Sequence, residues 1–471
     1  MRKIPNHCLI AAIAIGVAAP PKVASAMSLL DAYSLALGHD PTFLAAVKAR
    51  DAGASLIPIA RASLLPSIHY SQTYAPSNHQ SVTSTRTGFY GDTSQITEDR
   101  KYSSHSAAIT LRQPILDYES WEKYRQSTIQ ALFEDARLRA GIQDLAYRLL
   151  SSYIGVLYAS DQLALANEQK NAYSKQLVAN QATFLAGEST LTDVIETRAQ
   201  LELASTSASD ALDQLNNAQA LYESIVGAPI ALVRPSPLKN PLVVKPLQPS
   251  SLAEWKSSVV VSNADLTAER FSLQSAQSQI AIEKSRHYPR LELYASHMQN
   301  RSDTVTTYQQ RYRTNTIGLQ LSIPIFTGGG VSARVERAIS SYESARYTVQ
   351  AKETNVLNQL ELEYNFVSRG KARIDAHCAA VKAAKTRVTA TRKSIIGGER
   401  RNLDLIDAER QYFLARRDLA KARYEYLLSL FKLHYLAGAV DTSLLEEFSR
   451  AFILDEPTQQ GGTKQPILSQ K

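Results

Sequence analysis

The sequence predicts an α+β membrane protein with an internal duplication, in which each copy carries two membrane strands and helices of coiled-coil length. Three observations lead there. Landmarks recur at a nearly fixed spacing, proline-free runs exceed anything a globular domain uses, and amphipathic strand pairs are too few to close a sheet.

The chain opens with Arg2 and Lys3, an apolar run from Cys8 to Ala19, and Ala24-Ser25-Ala26, the pattern of a secretory leader with a small-residue cleavage site. Cleavage is expected before Met27, so residues 1–26 are assigned as a signal peptide. No Cys stands at that point, which gives no support for a lipid anchor. Cys378 is then the lone cysteine, so stability is expected from packing and assembly rather than from a disulfide. Loss of the leader's three basic residues lowers the formal charge from +8 to +5. That excess is scattered among Asp and Glu, which excludes a nucleic-acid footprint. Beyond the leader no run reaches the roughly 18 apolar residues of a spanning helix, so any membrane crossing falls to strands.

The duplication comes next. Ser28-Leu29, opening a helical stretch that ends at Pro66, recurs as Ser251-Leu252 ending at Pro289, an offset of 223. Gln113-Pro114-Ile115 matches Ile323-Pro324-Ile325 at 210, while Gly187 matches Gly398 and Gly227-Ala228 matches Gly438-Ala439 at 211. The first copy therefore holds 13 extra residues between its two prolines. Expected units are 27–229, a proline-rich linker at 230–250, a second copy at 251–454, and a polar, disordered tail at 455–471.

Each copy reads as helix, two strands, very long helix, turn, long helix. Between Gly330 and Gly397 only Gly370 interrupts, and between Asp117 and Ala186 only Gly141 and Gly155 do. Such runs reach roughly 100 Å, the range of a coiled coil or helical array. The returning helices carry stripes in steps of three and four: Val194, Thr197, Leu201, Ala204, Ala208, Ala211, Leu215, Ala218, Tyr222, and Leu405, Ala408, Tyr412, Ala415, Leu419, Ala422, Tyr426, Ser429, Leu433. Alternating large and small residues suit knobs-into-holes packing, although a plain bundle would share the period.

The strands separate those two. Leu291, Leu293, Ala295 and Ile317, Leu319, Leu321, Ile323 alternate with polar residues, as do Ile68, Tyr70 and Ala107, Ile109, Leu111 in the first copy. About ten residues per strand suffice for a tilted crossing, with polar loops from Pro76 to His105 and from Gln299 to Arg313. Tyr70, Tyr74, Tyr102, Tyr294, Tyr308 and Tyr312 are placed as an interfacial girdle. Closed barrels of this type need about eight strands, and an open edge cannot face lipid, so two, three or four chains must combine.

The double copy, the proline-ended strands and two turn segments, Phe184–Val194 (FLAGESTLTDV) and Ile396–Ala408 (IGGERRNLDLIDA), followed by Leu419–Leu427 (LAKARYEYL), resemble the TolC family of outer-membrane efflux proteins. The similarity runs from about Ser28 to Leu454. It implies a homotrimer in the outer membrane of a Gram-negative cell. Twelve strands form one β-barrel, and a periplasmic α-helical coiled-coil barrel closes at a tip made by the two turns. It further implies that Asp404 and Asp407 form gate rings of three carboxylates each, favouring cations and sensitive to divalent ions. The same i, i+3 pair also suits a solvated early helical turn, where negative charge is favourable. Arg400, Thr192 and Asp193 are implied as the closed-state tip network. An aromatic hydroxyl expected one turn before Arg400 is replaced by Ile395, which donates no hydrogen bond, and Glu399 is a competing partner for Arg400.

The function implied is an exit duct taking cargo from an inner-membrane transporter and a periplasmic adaptor. Type I secretion of proteins such as RTX-type toxins is favoured, with drug or metal efflux as the alternative cargo. A periplasmic coiled-coil adaptor or scaffold is the reading from another class. No catalytic residue, cofactor or metal site is expected. Gly328-Gly329-Gly330 lacks the Lys and Ser/Thr of a P-loop and is read as a strand-to-helix bend, and His377 and Cys378 as surface or packing residues.

Overall fold

The structure, a computed structural model, describes residues 27–302, 310–397 and 399–452. The expected leader, the tail, Tyr308 and Gly398 lie outside those residues. The first copy runs α1 (Leu29–His39), α2 (Pro41–Ala62), β1 (Ser67–Thr87), β2 (Thr93–Leu116), α3 (Tyr118–Leu185) and α4 (Leu191–Val226). The second runs α5 (Leu252–Ser262), α6 (Ala264–Ser285), β3 (Arg290–Ser302), β4 (Gln310–Ser322), α7 (Gly330–Ser368), α8 (Gly370–Ile396) and α9 (Asn402–Leu436), and α10 (Thr442–Ser449) follows. No helix among the described residues is long and apolar enough to cross a membrane.

The opening helix of each copy is broken in two. Asp40 ends α1 with extended backbone, and its carboxylate caps α2 by accepting from the Phe43 N–H at 2.7 Å. At the offset of 223, Asn263 caps α6 through the Leu266 N–H at 2.8 Å and donates to the Leu436 carbonyl. Each break receives the end of the returning helix. Gly227 and Gly438, both left-handed, lie where a Cβ would strike His39 and the Ser262 carbonyl. A side chain at either place would prise the helix pair from its support.

The strands form one antiparallel sheet in the order β1-β2-β3-β4, leaving β1 and β4 as edges. Register puts Ile68, Leu111, Ala295 and Ile317 on one row, and Leu291, Leu293, Leu319 and Leu321 share their face. Ile317, Leu319 and Leu321 are largely exposed, so this apolar face turns away from the protein.

The structure corrects the strand lengths. β1 and β2 have 21 and 24 residues and β3 and β4 have 13 each, against the expected ten. Most of the expected loop from Pro76 to His105 is strand, closed by a turn in which the Gly88 N–H donates to the Asp92 carbonyl at 2.7 Å. The 13 extra residues of the first copy thus lengthen a hairpin. Alternation marked only the half-apolar stretch, whereas the distal stretch is polar on both faces and held by its backbone ladder. The tyrosines divide as well: Tyr70 and Tyr74 share the apolar face, while Tyr102, Tyr294 and Tyr312 point to the opposite one, so they do not form one girdle.

α3 is one uninterrupted helix of 68 residues, about 100 Å long. Its counterpart is jointed at Arg369, and a Cβ on the adjoining Gly370 would overlap the Tyr426 ring. Gly328 and Gly329, both with positive φ, make the predicted strand-to-helix bend. Where strands meet helices, buried Glu119 of α3 takes Lys123 at 2.8 Å, Arg286 at the C-cap of α6 at 3.3 Å, and Arg290 of β3.

The principal core lies halfway along the helices, where Leu145, Leu149, Leu150, Tyr153 and Phe431 are fully buried among α1, α3, α9 and α10. The linker is tied into it. The Tyr153 hydroxyl donates to the Met27 carbonyl at 2.9 Å and accepts from the Ser236 N–H at 2.7 Å. Of the predicted stripes, Val194, Thr197, Ala204, Ala208, Ala211 and Tyr222 are buried, as are Leu405, Ala408, Ala422, Tyr426 and Leu433. α9 buries a second set, Phe413, Tyr424, Leu427 and Phe431, because it packs against α3, α7 and α8 at once.

Asp40 also takes a two-pronged ion pair from Arg148 of α3, at 2.9 and 3.0 Å. The Arg148 hydrogen bond holds its carboxyl below the usual range, against the opposing effect of burial. Asp40→Asn keeps the cap and loses the pair, for an expected destabilisation of about 1–3 kcal/mol. Because the folded carboxyl is depressed, its contribution is complete above the ordinary Asp range and fades as pH falls toward the depressed value. Thermal unfolding followed from about pH 7 to about pH 3 should show that acid-dependent loss in the wild type and not in the variant.

Candidate functional site

The two helix-turn segments converge at the far end of the helical body. α3 ends in a turn where the Gly187 N–H donates to the Phe184 carbonyl and the Glu188 N–H to that of Thr183, with Gly187 left-handed. α4 then starts on a reciprocal cap. The Asp193 N–H donates to the Thr190 hydroxyl at 3.3 Å, and the Asp193 carboxylate accepts from the Thr190 N–H at 3.2 Å.

Asp404 is the same position one copy later, and its carboxylate accepts from the Arg401 N–H at 3.2 Å. Arg401 has no acceptor to return, so the second cap is half of the first. Asp407 pairs with Arg410 of its own helix at 3.4 Å, and both Asp404 and Asp407 are partly exposed. Within one chain Asp404 therefore serves the negative first turn of α9, and Asp407 a local ion pair one turn further along the same helix.

Arg400 and Thr192 are exposed and, among the described residues, make no hydrogen bond or ion pair. The structure thus does not join Arg400 to Thr192 or Asp193 within one chain. Glu399 does not pair with Arg400 either; its backbone N–H caps α8 by donating to Ser394. The Ile395 carbonyl accepts from the Gly397 N–H in the same turn.

A different group does bridge the two hairpins. Gln176 of α3 donates to Asn180 at 3.0 Å and to Asn402 of α9 at 2.9 Å. Asn180 donates to the Thr197 hydroxyl at 2.7 Å, Asn402 reaches the same oxygen at 3.4 Å, and Thr197 passes its own proton to the Asp193 carbonyl at 2.7 Å. Thr197 is fully buried and Asn180 nearly so. Sequence reasoning placed Thr197 on the packing stripe and missed its hydroxyl. The available signal was an Asn and a Thr at otherwise apolar positions, since a buried amide needs partners.

Behind this layer Tyr173 packs with Ala204 and Ile406. Further ties to α9 follow: Glu168 with Arg416, and the Tyr424 hydroxyl donating to Asp161 at 2.7 Å. Arg392 of α8 pairs with buried Glu409 at 2.9 Å, and burial pushes the Glu409 carboxyl up despite that partner. The α8 residue Cys378 is half-buried and accepts a weak contact from Arg423 at 3.9 Å. Among the described residues no three His, Cys, Asp or Glu side chains gather as a metal site.

Thr197→Val keeps the shape of the side chain and strands the Asn180 and Asn402 amides, an expected loss of about 1–3 kcal/mol, whereas Thr197→Ser should retain most of the bonding. Amide hydrogen exchange at the starts of α4 and α9 should accelerate in the Val variant and remain near wild type in the Ser variant.

The arrangement, a four-stranded sheet continued by paired helical hairpins, is shared with known proteins. The outer membrane efflux protein family model matches residues 32–228 and again 255–439, one match per copy. The chain is 38% identical to the alkaline protease secretion protein AprF of Pseudomonas aeruginosa, over 92% of this chain and 89% of that protein. It is 35% identical to the proteases secretion protein PrtF of Dickeya chrysanthemi, over 89% of each. Its fold matches the CmeC outer membrane channel of Campylobacter jejuni with a TM-score of 0.74 at 16% identity, covering 90% of both chains. With a twofold match spanning most of its length, this chain belongs to the outer membrane efflux protein family, the TolC-like ducts of the Gram-negative outer membrane.

Proposed function

We propose that three copies of this chain close a twelve-stranded barrel and a helical tunnel, forming the exit duct of a type I secretion system whose cargo is a protein. One observation carries the duct: a sheet with an outward apolar face and two unpaired edges, β1 and β4, which lipid cannot satisfy. The protein cargo is supported by similarity to AprF and PrtF, both named for protease secretion. An inner-membrane transporter and a periplasmic adaptor supply the energy and the opening, and the duct itself conducts without catalysing. Drug or metal efflux is the second reading, supported by the match to the outer membrane efflux protein family. A free periplasmic adaptor is set aside, because such a scaffold has no use for an outward apolar sheet.

At the tip, Asp404 and Asp407 of three copies line the narrowest point, and Arg400 links to Thr192 and Asp193 of a neighbouring copy. The unpaired state of Arg400 and Thr192 in the single chain supports that reading. The Gln176, Asn180, Thr197 and Asn402 group fastens the two hairpins within each copy, so opening moves them as one body.

Three measurements test these roles. In a cell lacking its own duct but holding a protease, its transporter and adaptor, the chain should restore protease export; restored drug resistance without export would favour efflux. Asp404→Ala with Asp407→Ala should weaken divalent-cation block in planar bilayers by about tenfold or more, and unchanged block would remove both from the gate. Arg400→Ser should raise basal conductance, and a channel no leakier than wild type would show that other contacts hold the tip.

A further inference from the structure

Within one copy the tip helices form a row. α4 packs on α3, α3 also packs on α9, and α9 packs on α8, whereas α4 only grazes α9. The row therefore has two free flanks, α4 at one end and α8 at the other. Closing such rows by rotation is a head-to-tail operation that brings α4 of one copy against α8 of the next.

The two flanks differ in charge. α4 carries six carboxylates and one arginine, while α8 carries seven basic residues and one aspartate. Most of this charge is unspent. Among the described residues Glu196, Glu202, Asp210 and Asp213 of α4 make no ion pair, and neither do Lys371, Lys382, Lys385, Arg387 and Lys393 of α8. Asp210 belongs to the groove that faces α9. On the side of α4 turned away from that groove, exposed Glu202 and Asp213 lie beside exposed Ile195 and Leu212.

We propose that this acidic flank of α4 seats on the basic flank of α8 in the neighbouring copy, and that the opposed charges set the direction and register of the ring. The inference deepens the trimeric duct reading and rests on it. α4 rises from the tip while α8 descends to it, so residues equally far from the turn come level. Counted from the helix ends, Glu202 comes within two residues of level with Arg387, and Asp213 within one of level with Arg373, whose guanidinium is held over the Phe366 ring at 4.0 Å. The apolar residues give the seam contact area, and the charges make α4 against α4, or α8 against α8, repulsive. A single kind of junction remains, which is what a closed ring of identical chains requires. Because the pairs lie near the surface, salt weakens the seam and leaves the uncharged Gln176 to Asn402 group within each copy unaffected.

The test uses the full mature chain in detergent with Cys378→Ser. Glu202→Cys combined with Arg387→Cys, and Asp213→Cys combined with Arg373→Cys, should give disulfide-linked dimers and trimers under mild oxidation. Asp210→Cys, on the groove side of α4, with Lys385→Cys, eight residues out of level with it, should cross-link far less. Separately, Glu202→Lys with Asp213→Lys should lower the yield of native trimer by about tenfold, and adding Arg387→Glu with Arg373→Glu should restore it. A conducting trimer that cross-links at neither designed pair and shows no rescue overturns the seam while leaving the duct standing. A chain that stays monomeric and silent in bilayers overturns both.

Discussion

The unpaired edges of a four-stranded sheet govern this molecule. Every strand of the sheet but β1 and β4 is paired on both sides, and those two present N–H and C=O groups where the neighbouring apolar face meets hydrocarbon. Lipid offers such groups nothing, and each one left unmade costs several kcal/mol, roughly the scale at which a domain's whole stability is decided. Assembly is thus a condition of membrane insertion. The helices inherit the same demand, since a row with two bare flanks must also find its continuation.

Duplication meets this demand economically. The same break, the same cap and the same glycine recur in both copies, with Asp40 and Gly227 answered by Asn263 and Gly438. The copies diverge where their partners differ. Asp40 is charged because Arg148 stands opposite, while Asn263 is neutral and reaches a helix-end carbonyl. Divergence extends to the flanks, where one copy has gathered carboxylates and the other cations.

What the sequence disclosed was whatever repeats or alternates: the doubled landmarks, the amphipathic strands, the stripes of α4 and α9, and the bend at Gly328 and Gly329. What stayed hidden depends on contacts made far away in the chain. The polar distal half of the β1 and β2 hairpin has no apolar face to betray it, so a long ladder looked like loop. Nothing near Asp40 announces Arg148 of α3, and the joint at Arg369 is explained only by the Tyr426 ring beside Gly370. Thr197 was found and misjudged, for a small residue on a stripe and a buried hydroxyl read alike until Asn180 appears next to it. Asp404 and Asp407 were singled out through resemblance alone, and the single chain shows them as an ordinary cap and a local pair.

The joint at Arg369 has a mechanical side. α3 is an unbroken rod, whereas the second copy's descending limb is articulated at the point where the Tyr426 ring fills the notch left by Gly370. A helix resists bending along its length, so deflection concentrates at such an articulation. Below it α8 is a lever of 27 residues, about 40 Å long. A swing of roughly 10° would carry its lower end by about 7 Å over that arm. One limb of each subunit is thereby stiff and the other compliant, and the compliant one bears the half-capped turn that precedes Asp404.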